Sequence, residues 1–137
     1  MVIMAFDFGL KNIGIAIGQD ISRSSNTFYT LKANNGLPKW KFLDSLVKEW
    51  EPNIFVLGNP LNMDGTPSLM KRKSDLFGRR LEERYKIIPE LVDERLSSKE
   101  ALLRQKDLHL RNLTSSGSDI HSISAQIILE DWFREKH

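Results

Sequence analysis

The sequence predicts a single α/β domain with a mixed five-stranded sheet and helices on both faces. Two observations lead to this prediction. A β-hairpin pattern opens the chain, and short apolar runs then alternate with segments of helical periodicity. The 137 residues are 40% hydrophobic and 28% charged, a balance typical of a globular protein. We expect residues 1–137 to form one domain.

The first three predicted strands come from apolar runs near the N-terminus. Residues 2–8 and 13–18 are apolar and are joined by a turn rich in Gly and Asn, which predicts a hairpin. Residues 27–33 predict a third strand after a polar stretch. Pro38 then suits the first turn of a helix, whose apolar residues recur at helical spacing until Trp50.

The second half alternates strand and helix. Residues 54–58 form a continuous apolar run, as expected of a strand buried on both faces. A helix over residues 69–85 and a strand over 87–92 follow. Ser97-Ser98-Lys99-Glu100 has the form of a capping box, which predicts a helix near Ser98. A closing amphipathic helix begins near Asp119.

Composition excludes several classes of protein. The absence of cysteine rules out disulfide frameworks and thiolate metal sites. The apolar run at residues 1–6 is too short for a signal sequence or for a membrane span of about 20 residues. A net charge of +2 permits nucleic-acid binding without requiring it. We expect a soluble cytoplasmic protein that does not bind membranes.

Asp7 is the first candidate functional residue. An ionised carboxylate in an apolar strand costs several kcal/mol unless a partner compensates it, and a metal ion is one such partner. Strand alternation places Asp7 on the face of Ile3 and Ala5, or at the end of the strand. The alternative is an Asx turn, in which Asp7 bonds its own hairpin.

Asp93-Glu94-Arg95 is the second candidate, because it follows a predicted strand at the edge where α/β sheets bind ligands. Successive strand residues face opposite ways, so one of the two acids is expected to join Asp7. We assign Glu94 to this role, Asp93 to a supporting or solvent position, and Arg95 to a phosphate. The alternative is a charged entry to the next helix.

Clustered carboxylates suit the hydrolysis of phosphodiester bonds. Two hard cations roughly 4 Å apart can bridge the attacking water and the leaving oxygen, and oxygen ligands favour Mg²⁺ or Mn²⁺. The sequence therefore predicts a two-metal site containing Asp7 and Glu94. A third acid from the last helix would complete it.

Four ordered motifs resemble the YqgF family, also called RuvX, over nearly the whole chain. They comprise residues 7–16 (DFGLKNIGIA), 57–66 (LGNPLNMDGT), 92–97 (VDERLS) and 124–130 (SAQIILE). The resemblance implies a ribonuclease-H-like fold related to the RuvC resolvases. It also implies a cytoplasmic nuclease that matures the 5′ end of pre-16S rRNA, with Asp7 and Glu94 at the family's catalytic positions. Holliday-junction resolution in DNA recombination or repair is the alternative activity.

The third catalytic position departs from the family pattern. Most members carry Asp where this chain has His121. A neutral imidazole can also ligate a metal, although His121 could equally be a polar residue of a first helical turn. Asp119 is the rival ligand, but it also suits an N-cap. Two residues on a helix are about 200° apart, so both side chains are not expected to enter one site.

Basic side chains suggest where nucleic acid binds. Lys11 lies four residues from Asp7 and is a candidate phosphate contact. Asn62 lies in a turn-forming motif that would neighbour the site, or it only holds that turn. The helix over 69–85 and the stretch containing Arg104 carry further cations. The predicted buried stripe of that helix consists of Leu69, Leu76, Phe77, Leu81 and Tyr85. These cations form either a solvated face or a track for phosphates, with Arg72 and Arg79 as contacts. In neither stretch do aromatic residues alternate with the basic ones, so we expect recognition of the nucleic-acid backbone rather than stacking on bases.

The expected partner is nucleic acid, either pre-rRNA or branched DNA, with ribosomal precursor particles as a further possibility. The sequence leaves RNA and DNA substrates, endo- and exonuclease action, and oligomeric state open. One rival is a phosphotransferase or ATPase, because Asp-x-Gly on a hairpin also resembles a phosphate motif of the actin and sugar-kinase superfamily. Those proteins need two such domains. The other rival is a non-catalytic RNA-binding assembly factor, favoured by the missing third acid.

Overall fold

A computed structural model describes residues 1–22, 24–60, 69–93, 103 and 119–136. The strands in these ranges are β1 (Val2–Asp7), β2 (Asn12–Gln19), β3 (Ser24–Asn34), β4 (Leu37–Pro38), β5 (Ile54–Asn59) and β6 (Glu90–Asp93). The helices are α1 (Trp40–Trp50), α2 (Leu69–Tyr85) and α3 (Asp119–Lys136). The helix predicted near Ser98 lies outside the described residues.

The strands form one mixed sheet in the order β4-β3-β2-β1-β5-β6. β1 and β2 make the predicted antiparallel hairpin, and β1, β5 and β6 run parallel to one another. The mixed sheet with alternating helices is therefore confirmed. Because three neighbouring strands are parallel, their carboxyl ends meet at one edge, which we call the strand-end edge.

The described sheet has six strands rather than the expected five, because Leu37 and Pro38 are not helical. Asn35 and Gly36 adopt φ values of 51° and 83°, the left-handed conformations of a tight hairpin turn. The turn returns the chain along β3, so that Leu37 and Pro38 pair with its last two residues. Pro38 lacks a backbone N–H and is tolerated on this outermost strand. α1 consequently starts at Trp40.

The two faces of the sheet are covered by different helices. On one, the helix-pair face, large side chains of the sheet pack with those of α1 and α2, including Met4, Phe6, Phe55, Leu57, Leu43, Phe77 and Leu81. On the other, the α3 face, smaller side chains of the sheet pack against residues of α3 that include Ala125, Ile128, Trp132 and Phe133. The sheet residues are Ile3, Ala5, Ala16, Val56 and Val92. Residue alternation along each strand produces this division.

Hydrogen bonds hold α3 across the width of the sheet. The Gln126 side-chain amide donates to the Ser25 carbonyl at 2.9 Å, and the Trp132 indole donates to a Glu90 carboxylate oxygen at 3.0 Å. One bond reaches β3 and the other reaches β6, so the helix is held near both sides of the sheet.

α2 departs from its predicted buried stripe. Phe77 and Leu81 are buried as expected, but Leu69 and Leu76 are 83% and 40% exposed. Those two leucines therefore add little to the core.

In the described part of the chain, no helix has the length and apolar character that crossing a bilayer would require.

Candidate functional site

Two of the predicted acids stand where parallel strands finish. Asp7 is the last residue of β1 and lies opposite Gly14 of β2. Asp93 is the last residue of β6 and lies beside Asn59 of β5. Both acids therefore occupy the strand-end edge, the usual ligand-binding edge of an α/β sheet.

Asp7 belongs to the α3 face. Ile3 and Ala5, two and four residues earlier in the same strand, pack against α3, and strand alternation gives Asp7 the same orientation. The side chain of Asp7 is half-buried. The prediction that Asp7 shares a face with Ile3 and Ala5 is thus confirmed, and its carboxylate lies between an apolar core and the end of the sheet.

A glycine brings the first turn of α3 directly onto the sheet opposite Asp7. A Cβ atom at Gly14 would overlap the carbonyl of His121 and would lie 2.9 Å from the Ser122 amide nitrogen. Real Cβ atoms do not approach backbone this closely, so only glycine permits the contact. Because Gly14 pairs with Asp7, this approach positions His121 beside the end of β1.

His121 is half-buried in the first turn of α3. Burial lowers the pKa of its imidazole, and the nearby positive charge of Lys32 lowers it further. Both effects favour the neutral ring, which is the form that can ligate a metal. Asp119 is the first residue of α3, and its side chain lies outside what the structure describes.

Lys32 is a residue of the site that the sequence reasoning missed. The β2–β3 register places Lys32 opposite Asn12, and its Nζ lies 3.5 Å from the Asn12 Oδ1. Alternation from Gly14 puts Asn12 and Lys32 on the α3 face, which agrees with the influence of Lys32 on His121. The lengths of the two predicted strands could have suggested this pairing. The third strand spans Ser24–Asn34 rather than residues 27–33, however, so the predicted bounds did not give the correct register.

Asp93 belongs to the opposite face. Val92 packs against α3, so the next residue along β6 points away from that helix. Its neighbour Asn59 accepts a hydrogen bond from Lys71 of α2 at 3.1 Å, which places this pair of strand ends on the helix-pair face. Asp93 is exposed. The expectation that Asp93 does not join Asp7 agrees with this placement.

The predicted phosphate contacts are dispersed. Lys11 is exposed in the turn between β1 and β2, close to the strand-end edge. Arg72 and Arg79 are exposed on α2, one of the two helices that cover the helix-pair face. Arg79 lies about 10 Å beyond Arg72 along the helix axis. Four other predicted site residues lie outside the described residues: Asn62, Glu94, Arg95 and Arg104.

The donors on the α3 face differ in their preference for metals. The carboxylate of Asp7 is a preferred ligand of Mg²⁺ or Mn²⁺, whereas the neutral imidazole of His121 is a softer donor that binds transition metals more readily. Within residues 1–22, 24–60, 69–93 and 119–136, no group of three or more His, Asp or Glu side chains is arranged to hold a metal ion. Glu94, the expected third donor, is not among these residues.

Comparison with known proteins decides the family. The sequence profile described as "RuvX: Holliday junction resolvase" matches residues 1–135. The chain belongs to the RuvX family. A "Putative pre-16S rRNA nuclease" from Saccharophagus degradans is 41% identical to it over 134 residues, covering 97% of this chain and 93% of that protein. A RuvX relative of the same name from Yersinia pseudotuberculosis is 42% identical over 134 residues, covering 98% and 95%.

Solved structures share the fold of this RuvX chain at low sequence identity. Thermus thermophilus RuvC in complex with a Holliday junction matches with a TM-score of 0.55 and 10% identity, covering 99% of this chain and 95% of that one. The fowlpox virus resolvase bound to Holliday junction DNA gives 0.54 and 14%, covering 99% and 98%. The predicted ribonuclease-H-like fold and YqgF/RuvX membership are confirmed.

Proposed function

We propose that this RuvX protein is a metal-dependent nuclease that hydrolyses phosphodiester bonds in the precursor of 16S rRNA. The observation that carries the proposal is the Gly14 contact, which brings the first turn of α3 onto the sheet opposite Asp7. The names of the curated relatives support the same activity, and the description of the family supports a nuclease.

Asp7, Glu94 and His121 are the proposed ligands of Mg²⁺ or Mn²⁺, with Asp119 as the alternative to His121. Glu94 lies outside the described residues and keeps the role that the sequence predicts. Bound cations would supply Lewis-acid activation of water and charge stabilisation at the scissile phosphate. The half-buried position of Asp7 lets its carboxylate interact strongly with a cation, because solvent screening is reduced there.

Lysines around these ligands are proposed to bind the substrate backbone. Lys32 lies on the α3 face near His121, and Lys11 lies in the neighbouring turn. Both can place a positive charge against phosphate oxygens flanking the cleaved bond. Asn62, Arg95 and Arg104 keep their predicted roles as further contacts. Arg72, near the strand-end edge, would extend the contact along α2.

We propose the 5′ end of pre-16S rRNA as substrate, within ribosomal precursor particles in the cytoplasm. The names of the relatives support RNA as the substrate. The description of the family, and the fold shared with resolvases bound to four-way junctions, support a branched-DNA substrate as the second candidate.

A cleavage assay tests the proposal. Purified protein is incubated with Mn²⁺ or Mg²⁺ and either a 5′-extended 16S rRNA fragment or a four-way DNA junction, with Asp7→Asn as the control. We expect cleavage of the RNA that is abolished by EDTA and lost in Asp7→Asn. Preferential cleavage of the junction would select the second candidate. RNA binding without cleavage by the wild type would contradict the nuclease proposal and favour an assembly factor.

A further inference from the structure

A groove on the helix-pair side of the molecule combines two arginines with an aromatic ring. It lies between α1 and α2 and is lined by Trp40, Arg80, Glu83 and Arg84. The two arginines are one helical turn apart on the same side of α2, and Glu83 of the same groove lies between them in the sequence. None of the described residues of the α3 face lines this groove, and neither Asp7 nor His121 is among its lining residues.

Arg84 is fixed in position. Its Nε and one terminal nitrogen bond the two Asp44 carboxylate oxygens at 2.7 and 2.5 Å, and its guanidinium lies 5.3 Å from the centre of the Trp40 ring. The Tyr85 hydroxyl donates to the same carboxylate at 2.7 Å. The Arg84 bonds, followed by that of Tyr85, hold the pKa of Asp44 at about 2. Asp44 is therefore ionised, and Arg84 is held without losing all its donors.

The aromatic floor of the groove is also fixed. Trp40 stacks on Phe77, with ring centres 6.0 Å apart and planes inclined by 21°. Phe77 is buried in the core, so the indole cannot easily move. One side of Trp40 is occupied by Phe77 and Arg84 lies on its ring. A ligand base would therefore stack on the planar guanidinium rather than on the indole itself.

Arg80 has no bonded counter-charge among the described residues. It is half-buried and makes no hydrogen bond or ion pair with the described parts of the chain, whereas Arg84 is bonded to Asp44. A guanidinium held in place, beside one that no described residue bonds, matches the chemistry of a nucleotide, which offers a planar base and a phosphate. The expectation of backbone recognition rested on the two basic stretches alone, whereas Trp40 comes from a different helix.

We propose that this groove binds a single-stranded segment of the RNA substrate, with Arg80 on a phosphate and the Arg84 plane against a base. The inference rests on the proposed function for the identity of the ligand. Arg80 lies about 16 Å along α2 from its first residue, whose turn is bonded to β5 through Lys71 and Asn59. The groove therefore contacts RNA at a distance from the cleaved bond, and only long substrates can reach both places.

The test compares Arg80→Gln with Lys48→Gln, which removes the same charge from an exposed position at the far end of α1. Binding of a 5′-extended 16S rRNA fragment is measured in the Asp7→Asn background at several salt concentrations. We expect Arg80→Gln to weaken binding roughly threefold to tenfold. The slope of log affinity against log salt should also decrease by about 0.7, as for one phosphate of a single strand. Lys48→Gln should match the parent protein.

Two further measurements locate the contact. The RNA should shift the indole N–H NMR signal of Trp40, assigned with Trp40→Phe, and leave that of Trp132, which is bonded to Glu90, in place. Cleavage of a minimal short substrate should be the same for Arg80→Gln and the wild type. Equal RNA affinities and salt slopes for the Arg80 and Lys48 variants, while the wild type still cleaves RNA, would overturn the groove and leave the nuclease proposal standing.

Discussion

The two faces of the central sheet are packed differently. On the helix-pair face, Phe6 meets Phe55 and Phe77 with ring centres 5.4 and 5.6 Å apart, so bulky side chains separate sheet from helix. On the α3 face, Ala5, Ala16 and Gly14 allow the helix to approach closely, and at Gly14 backbone meets backbone. A close helix places its first turn beside a strand end, and we infer that the polar site occupies this face for that reason.

Asp7 and Asp93 provide the most direct comparison of the faces, since both end parallel strands at the same edge. Asp7→Asn should lower kcat for RNA cleavage by at least about a thousandfold, because a metal ligand contributes several kcal/mol of transition-state stabilisation. Asp93→Asn should lower it less than about threefold, as for a surface substitution outside the site. Steady-state kinetics on the rRNA fragment measures both. Equal losses would mean that the two faces do not differ in function.

Gly14 and Gly78 compare the packing of the faces. Gly14→Ala should destabilise the protein by about 3 kcal/mol or more, because the added methyl group meets rigid backbone of α3. At Gly78 the added atom would lie 3.2 Å from the Leu57 Cδ2, an atom at the end of a side chain that can move. Alanine has a better helix propensity than glycine by about 1 kcal/mol, which should offset that contact. The free energy of unfolding of Gly78→Ala should therefore stay near that of the wild type. Urea unfolding followed by circular dichroism compares them. A tolerated Gly14→Ala would contradict the close approach.

Lys32 should influence His121 across the α3 face. Removing its charge in Lys32→Met should raise the pKa of the His121 imidazole towards its ordinary value, because burial alone would then lower it. NMR titration of the ring in metal-free protein measures the change. Lys48→Met, on α1, serves as the matched control and should have no effect. An unchanged His121 pKa in Lys32→Met would show that the lysine does not lie near this ring.

The Asp44–Arg84 pair on the helix-pair face should have the smallest effect, because exposed ion pairs contribute little to stability. The folded-state pKa of Asp44 is about 2, against an ordinary value of 3.8. Its ionised form therefore stabilises the fold above pH 3.8, and this stabilisation is lost as the pH falls through about 2. The stability difference between wild type and Asp44→Asn should decrease over that range. A pH-independent difference would indicate that the pair does not perturb Asp44.

Much of the fold was readable from local patterns. The opening hairpin, the buried strand after Pro52 and the closing helix were predicted because turn residues and periodicity mark them in the sequence. The error at Leu37 and Pro38 arose because a proline suits both a first helical turn and an edge strand. The preceding Asn35-Gly36 pair, a strong hairpin signal, would have resolved the ambiguity.

The site was predictable only in part. Asp7 stood out because an acid in an apolar strand requires a reason, and the structure places it at the end of β1. Lys32 and Trp40 did not stand out, because their roles depend on strand register and helix packing that bring distant residues together. The α2 stripe was overestimated at Leu69 and Leu76, since periodicity alone does not show how much of a helix the sheet covers.

The most direct test of the account is the position of a bound manganese ion. Crystals soaked in Mn²⁺ and measured at the manganese absorption edge should show an anomalous peak on the α3 face, within ligand distance of the carboxylates of Asp7 and Glu94 and of either His121 or Asp119. A peak coordinated by Asp93 on the helix-pair face, or carboxylates at 7 and 94 too far apart to share an ion, would contradict the proposed nuclease site.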